Sequence, residues 1–327
     1  MKLAIAGTGL IVNEVLPFLE GWDWEVAAIC STPRSAGKAE TLAAMCKNAA
    51  VFTDFSRMLA ETSAEAVYIG TPNSTHRSMA EAALLAGKHV IVEKPLAVNL
   101  EEAERIADLA MKNELFLYEA ITTLYQPDYE ALRAQLHRIG KIKLVNCNFS
   151  QFSSRYEAFE RGETAPVFDP KQAGGALMDL NLYNIHWVLG LFGAPEDVVY
   201  HANMDRGIDT SGVLWMQYPD FQVISAAAKD SGSPSRCIVQ GTKGYLLQNT
   251  TANICGEVTL HLNDGTEETY HTETQHRMEM EFRAFRQQMQ ERDYEACYRA
   301  LARSLEVSSV LTAARRPAGI RFPSDPD

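Results

Sequence analysis

The amino-acid sequence predicts an α/β chain in two parts: a doubly wound parallel sheet over residues 1–120, then an α+β domain with a mainly antiparallel sheet over residues 121–327. Three observations carry this reading. Short β-rich runs alternate with helical segments through the first part. The texture then changes to strands separated by turn signals. At 327 residues the chain is also long for one compact core.

In the first part the strands are expected at 2–6, 25–30, 66–70, 89–93 and 115–118. Helical stretches at 74–86 and 100–111 lie between them, and Asn99 with Glu102 suits a capping box at the start of the second. Four crossovers of this kind build a Rossmann-like sheet. Pro17 falls inside the helix expected after the first strand, where it removes an amide donor and should kink or shorten it. In the second part strands are expected at 143–152, 212–218, 222–229, 236–240 and 257–263. Helical blocks at 273–290 and 294–314 close the chain, with Pro317 and Gly319 as stop signals. These terminal helices are expected to be able to pack back on the first domain.

Composition narrows the function. Apolar residues make up 46% and charged residues 22%, which excludes disordered and fibrous classes. No stretch approaches the roughly 18 consecutive apolar residues of a membrane span, so no membrane is expected as a partner. With 30 Lys and Arg against 42 Asp and Glu, the net charge of -12 repels a phosphate backbone, and nucleic acid is not expected either. The first residues carry no secretory pattern, so a cytoplasmic protein is expected. Six cysteines, Cys30, Cys46, Cys147, Cys237, Cys255 and Cys297, are scattered without a C-x-x-C or zinc spacing. Reduced, mostly buried thiols and no metal are the expectation.

Gly7-Thr8-Gly9-Leu10-Ile11-Val12 follows the first strand and opens a helix, the context in which glycines let a pyrophosphate approach backbone amides. Dinucleotide binding is preferred here to a simple βα turn, although Val12 replaces the small third residue of the fingerprint. A site selective for NAD usually ends the second strand with an acid that accepts from the ribose 2′-hydroxyl. This chain instead has Ser31, Thr32 and Arg34, which can hold a 2′-phosphate. NADP(H) is therefore favoured over NAD(H), against the alternative of a solvated loop arginine.

Val90-Ile91-Val92 runs into Glu93-Lys94-Pro95, which puts the Lys94 ammonium at the carboxyl end of a parallel strand, bordering the ligand crevice. Gly174-Gly175 leads into a largely apolar helix on which Asp179, Tyr183 and His186 fall at i, i+4 and i+7. These three read equally as a site lining or as a polar stripe that holds the helix in place.

Taken together, Gly7-x-Gly9, Thr71-Pro72-Asn73-Ser74-Thr75-His76, Glu93-Lys94-Pro95, Gly174-Gly175-Ala-Leu-Met-Asp179 and the closing Glu306-Val307…Ala318-Gly319-Ile320 resemble the Gfo/Idh/MocA oxidoreductases over nearly the whole chain. The resemblance implies a Rossmann domain, a C-terminal domain whose open sheet makes a homodimer or homotetramer, and hydride transfer with sugars, polyols, dihydrodiols or dicarbonyls. It implies that Thr71, Pro72, Asn73, His76, Glu93 and Lys94 bind the cofactor, with Lys94 near the reacting oxygen and often in a cis Lys-Pro bond. Asp179 matches the aspartate of the second motif. Four residues on, many members have histidine, whereas Tyr183 resembles the branch of glucose-fructose oxidoreductase and dimeric dihydrodiol dehydrogenase.

A tyrosine hydroxyl can protonate the alkoxide left by hydride addition, and a neighbouring ammonium eases its ionisation. Tyr183 is thus expected as general acid/base, Lys94 as its electrostatic partner and Asp179 as orienter of substrate or of Lys94; His186 is expected to be structural. Relatives carry Arg and His where this chain has Leu124 and Gln126, so their substrate contacts do not transfer. Arg155, Tyr156 and Tyr125 are the candidates for the substrate side. Two alternatives keep the same fold: a non-catalytic dinucleotide-binding sensor or regulator, and an NAD-dependent glycosidase.

Overall fold

The structure, a computed structural model, describes residues 1–47 and 49–325. The chain divides into two compact units, Met1–Ala120 with Met278–Leu305, and Ile121–Arg277 with Glu306–Asp327.

The first unit alternates β1 (Lys2–Ala6), α1 (Leu10–Leu19), β2 (Glu25–Cys30), α2 (Ala36–Ala43), β3 (Ala50–Phe52), α3 (Phe55–Glu61), β4 (Ala66–Ile69), α4 (His76–Leu85), β5 (His89–Glu93), α5 (Leu100–Lys112) and β6 (Leu117–Ala120). The strands pair in parallel in the order β3-β2-β1-β4-β5-β6. Helices bury both faces, which is why β4 and the last four residues of β1 and of β5 are wholly buried. In α5 the buried residues Ala103, Ile106, Ala107 and Ala110 repeat at helical spacing, and Asn99 caps it by accepting from the Glu102 amide at 2.9 Å. Helix α1 runs through Pro17 and ends two residues later, giving way to a 3-10 turn at Glu20–Trp22. The proline shortens the helix rather than abolishing it.

Strand β3 and helices α2 and α3 go beyond the sequence expectation, and the last strand lies at 117–120 rather than 115–118. Edge strand β3 is short and largely exposed, so it lacks the apolar run that marks the central strands.

The second unit contains α6 (Pro127–Gln135), β7 (Ile142–Ser150), α7 (Tyr156–Glu160), α8 (Leu182–Phe192), β8 (Asp197–Asp205), β9 (Ile208–Gln217), β10 (Gln222–Ala228), β11 (Arg236–Gly241), β12 (Gly244–Gln248), β13 (Val258–Leu262) and β14 (Glu267–Tyr270). Its sheet has the order β14-β13-β12-β11-β7-β10-β9-β8 and is antiparallel except where β10 pairs with β7. Alternation along β7 buries Val145, Cys147 and Phe149. Helix α8 is tied to the sheet by polar side chains: Asn184 donates to the Ala226 carbonyl at 3.1 Å, and Trp187 donates to Gln248 at 2.7 Å. Helices α9 (Glu279–Glu291) and α10 (Tyr294–Arg315) follow the last strand. The first starts six residues later than its sequence pattern suggests, at 279 rather than 273. All six cysteines are free thiols, and only Cys46 is not buried.

Candidate active site

In the first unit, every residue expected to touch the cofactor lies at or just beyond the carboxyl end of one of four adjacent strands, β2, β1, β4 and β5. The chain reverses its direction of winding at β1, the position where open α/β sheets leave a crevice. Gly7 has φ +118°, and a Cβ there would lie 2.3 Å from the Gly70 carbonyl oxygen, so the turn admits only glycine. Gly9 is the N-cap of α1 and no side chain caps it, which leaves the first-turn amides around Leu10 and Ile11 for an anion. Thr8 accepts from the Asn13 side chain through its carbonyl at 3.2 Å. This uncapped, glycine-lined helix start fits a dinucleotide pyrophosphate.

Beyond β2, Ser31 is half-buried while Thr32 and Arg34 are exposed, with Arg34 in a 3-10 turn at Pro33–Ser35. The Ser31 hydroxyl donates to the Thr32 carbonyl at 3.1 Å. No carboxylate ends β2, so this corner is chemically suited to an extra phosphate.

The turn after β4 is knit together by its own side chains. The Thr71 and Thr75 hydroxyls lie 2.7 Å apart, and Thr75 also donates to the Pro72 carbonyl at 2.7 Å. Pro72 precedes the 3-10 turn at Asn73–Thr75. His76 is fully buried, with Nδ1 2.7 Å from the Pro95 carbonyl and Nε2 2.9 Å from that of Thr71. Burial holds its imidazole below the ordinary histidine pKa, against the pull of the two carbonyls. His76 therefore links two turns rather than facing outward.

The Lys94-Pro95 bond is cis, and three side chains fix the segment around it. Tyr68 donates to Glu93 at 2.6 Å, His76 meets Pro95, and the Leu96 amide donates to Glu119 at 3.0 Å. Glu93 is thus a buried support for the Lys94 turn. Tyr68 and Glu119 escaped the sequence reading because their contacts are made across neighbouring strands.

In the second unit the glycine pair is demanded by close packing. A Cβ at Gly174 would strike the Val167 backbone at 2.7 Å, and one at Gly175, where φ is +109°, would lie 2.0 Å from Asp209 Oδ1. The chain then forms a five-residue π-helical turn, Leu177–Asn181, before α8. Such turns recur at functional sites. This one carries Asp179 and breaks the regular spacing on which the shared face of Asp179, Tyr183 and His186 depended. Asp179 is half-buried, Tyr183 is 8% exposed with its ring 6.0 Å from that of Phe149, and His186 is fully buried.

Two residues behind the π-turn were not singled out from sequence. Buried Asp209 accepts from the Leu177 amide at 2.7 Å and from the Tyr200 hydroxyl at 2.8 Å. Burial pushes its carboxyl up to about 6, with these hydrogen bonds and the charge of Lys229 opposing the shift. Buried Lys229, just past the end of β10, donates to Asp179 Oδ2 at 2.7 Å and to the Val167 carbonyl at 2.8 Å. Its signal was present in the sequence: like Lys94, it ends an apolar strand.

The two positions that depart from relatives have local partners. Gln126 is buried and donates to the Arg277 carbonyl at 2.6 Å, while Leu124 packs where a Cβ at Gly190 would fall. Tyr125 is half-buried, Arg155 is exposed, and Tyr156 joins an aromatic group with Phe152, Phe159 and Phe168.

Residues 1–120 match the family model described as an oxidoreductase family with an NAD-binding Rossmann fold, and residues 130–247 match the GFO/IDH/MocA C-terminal domain. The chain is 32% identical to scyllo-inositol 2-dehydrogenase (NADP(+)) of Bacillus subtilis, over 99% of each protein. It is 29% identical to trans-1,2-dihydrobenzene-1,2-diol dehydrogenase of Mus musculus over 75% of this chain and 73% of that protein. Among solved structures, a 3-ketoreductase from Actinomadura kijaniata in complex with NADP and TDP-benzene shares the fold with a TM-score of 0.82, at 22% identity and 98% coverage of both chains. Architecture, motifs and sequence similarity agree that the chain belongs to the Gfo/Idh/MocA family of oxidoreductases.

Proposed function

We propose that this oxidoreductase uses NADP(H) to interconvert a secondary alcohol and a ketone on a small polyhydroxylated substrate, a cyclic polyol or a vicinal diol. The observation that carries the cofactor choice is the end of β2, where Ser31, Thr32 and Arg34 stand in place of an acid. The NADP(+)-linked relative at 32% identity supports the same choice. When bound, the nicotinamide supplies or accepts the hydride at the substrate carbon.

The remaining roles fall to side chains of this protein. The amides of Gly9, Leu10 and Ile11 receive the pyrophosphate, with Gly7 and Thr8 shaping the turn. Thr71, Pro72 and Asn73 border the nicotinamide half, buried His76 ties their turn to that of Pro95, and Glu93 sets the turn from which Lys94 emerges. Lys94 polarises the reacting oxygen electrostatically. Tyr183 gives the proton to that oxygen during reduction and takes it during oxidation. Asp179 orients the substrate or Lys94.

The sheet of the second unit supports assembly into a homodimer or homotetramer. On the face away from α8, Val199 pairs with Trp215, Trp215 with Ile224, and Ile238 with Leu247 across the strands. Val199 and Ile224 are left exposed in the single chain.

The test is turnover of scyllo-inositol and of trans-1,2-dihydrobenzene-1,2-diol with NADP(+), followed by nicotinamide absorbance. Reduction of NADP(+) by at least one of them is expected. Failure of both, together with failure of NADPH to reduce vicinal dicarbonyls, refutes the substrate class.

A further inference from the structure

We infer that Lys229 is a positioning residue for the reaction, holding Asp179 in its working orientation; this rests on the reading above that Asp179 takes part. A lysine is seldom buried without a purpose that outweighs its lost hydration. Here the main chain fixes it from both sides, since the Lys229 amide donates to the Thr210 carbonyl at 2.8 Å and the Ser153 amide donates to the Lys229 carbonyl at 2.9 Å.

The side chain then makes three contacts at one ammonium, on two segments. It meets Asp179 Oδ2 at 2.7 Å, the Val167 carbonyl at 2.8 Å, and the face of the Phe168 ring at 4.7 Å. A π-turn is a wide, weakly self-supporting piece of helix, and Asp179 is the acidic residue upon it. The ion pair supplies what the turn lacks. It selects one carboxylate rotamer, because the donor is itself immobilised by burial and by its second acceptor. Asp209 acts from beneath, through the Leu177 amide at the start of the same turn. Lys229 thus acts through Asp179 and touches neither substrate nor cofactor in this assignment.

The experiment is a double-mutant cycle of Lys229→Met and Asp179→Asn, assayed with NADP(+) and whichever of scyllo-inositol and trans-1,2-dihydrobenzene-1,2-diol is turned over. Lys229→Met should lower kcat by about tenfold or more while leaving the Kd for NADPH within about twofold, because misorientation acts on the chemical step. The double variant should be no slower than Asp179→Asn alone. Lys229→Gln, which keeps a donor without the charge, should retain an intermediate kcat and is read in place of the Met variant if the latter does not fold. Unchanged kcat in the Lys229 variants overturns the inference, as do multiplicative losses in the double variant. A fall in kcat matched by a weakened NADPH Kd overturns it too, since that marks a general structural defect. If Asp179→Asn alone turns over like the unaltered protein, the reading beneath this inference fails and takes the inference with it.

Discussion

Val12 fills the space that the absent side chain of Gly70 leaves: a Cβ at position 70 would lie 2.8 Å from Val12 Cγ2 and 3.4 Å from Ile11 Cγ2. The dinucleotide fingerprint normally places its small residue on the helix, for close helix–strand packing. Here the small residue is on the neighbouring strand turn instead. The two arrangements achieve the same approach, and the valine in the fingerprint is no defect.

Gly70→Ala should therefore destabilise the first unit by about 1–3 kcal/mol through overpacking. Combining it with Val12→Ala should cost less than the sum of the two single changes, because the pair shares one volume. Denaturant midpoints of the four proteins measure this, and strict additivity would show that the contact is not the cause.

Tyr183→Phe removes the hydroxyl and keeps the ring against Phe149. Loss of a general acid/base should reduce kcat by roughly 10²–10⁴-fold, with NADPH affinity unchanged. A variant turning over as fast as the parent would assign the proton elsewhere.

Asp209 gives a pH prediction whose sign follows from its buried carboxyl. Its pKa rises from 3.8 to about 6 on folding, so the folded protein holds the proton more tightly. The associated stability is fully present below about pH 3.8 and is lost as pH rises through about 6. The shift of roughly two units amounts to about 3 kcal/mol. The stability difference between the unaltered protein and Asp209→Asn should change by about that amount between pH 4 and pH 7, favouring the carboxyl on the acid side. Paired denaturation curves across this range test it; a pH-independent difference would mean that folding does not raise the Asp209 pKa.

The legible parts of the chain are those in which local pattern and burial coincide. Strands β1, β2 and β5 fall at their expected limits because both faces of a parallel sheet are buried and the sequence between their polar end residues runs apolar. Edge strands β3, β8 and β14 were missed since one side of each is unpaired and their residues are correspondingly mixed, and the five-residue inner strand β12 was missed as well. At the site, Lys94 was legible from a charged pair and proline closing a buried strand, yet Lys229 closes Ile224-Ser225-Ala226-Ala227-Ala228 in the same way and passed unremarked. What separated them was the Pro that follows Lys94. The π-turn left no trace in the sequence, because a one-residue widening of a helix changes spacing without changing composition.

Titration of the purified protein and of Arg34→Ala with NADPH and NADH, followed by nicotinamide fluorescence, bears most directly on the assignment of an NADP(H)-dependent oxidoreductase. The unaltered protein should bind NADPH with micromolar affinity and NADH much more weakly. The Arg34 variant should lose roughly 10–100-fold for NADPH alone, the worth of a charge-assisted contact to the 2′-phosphate. Equal affinity for the two nucleotides in the unaltered protein, or an Arg34 variant that weakens both alike, would show that the end of β2 does not read the phosphate.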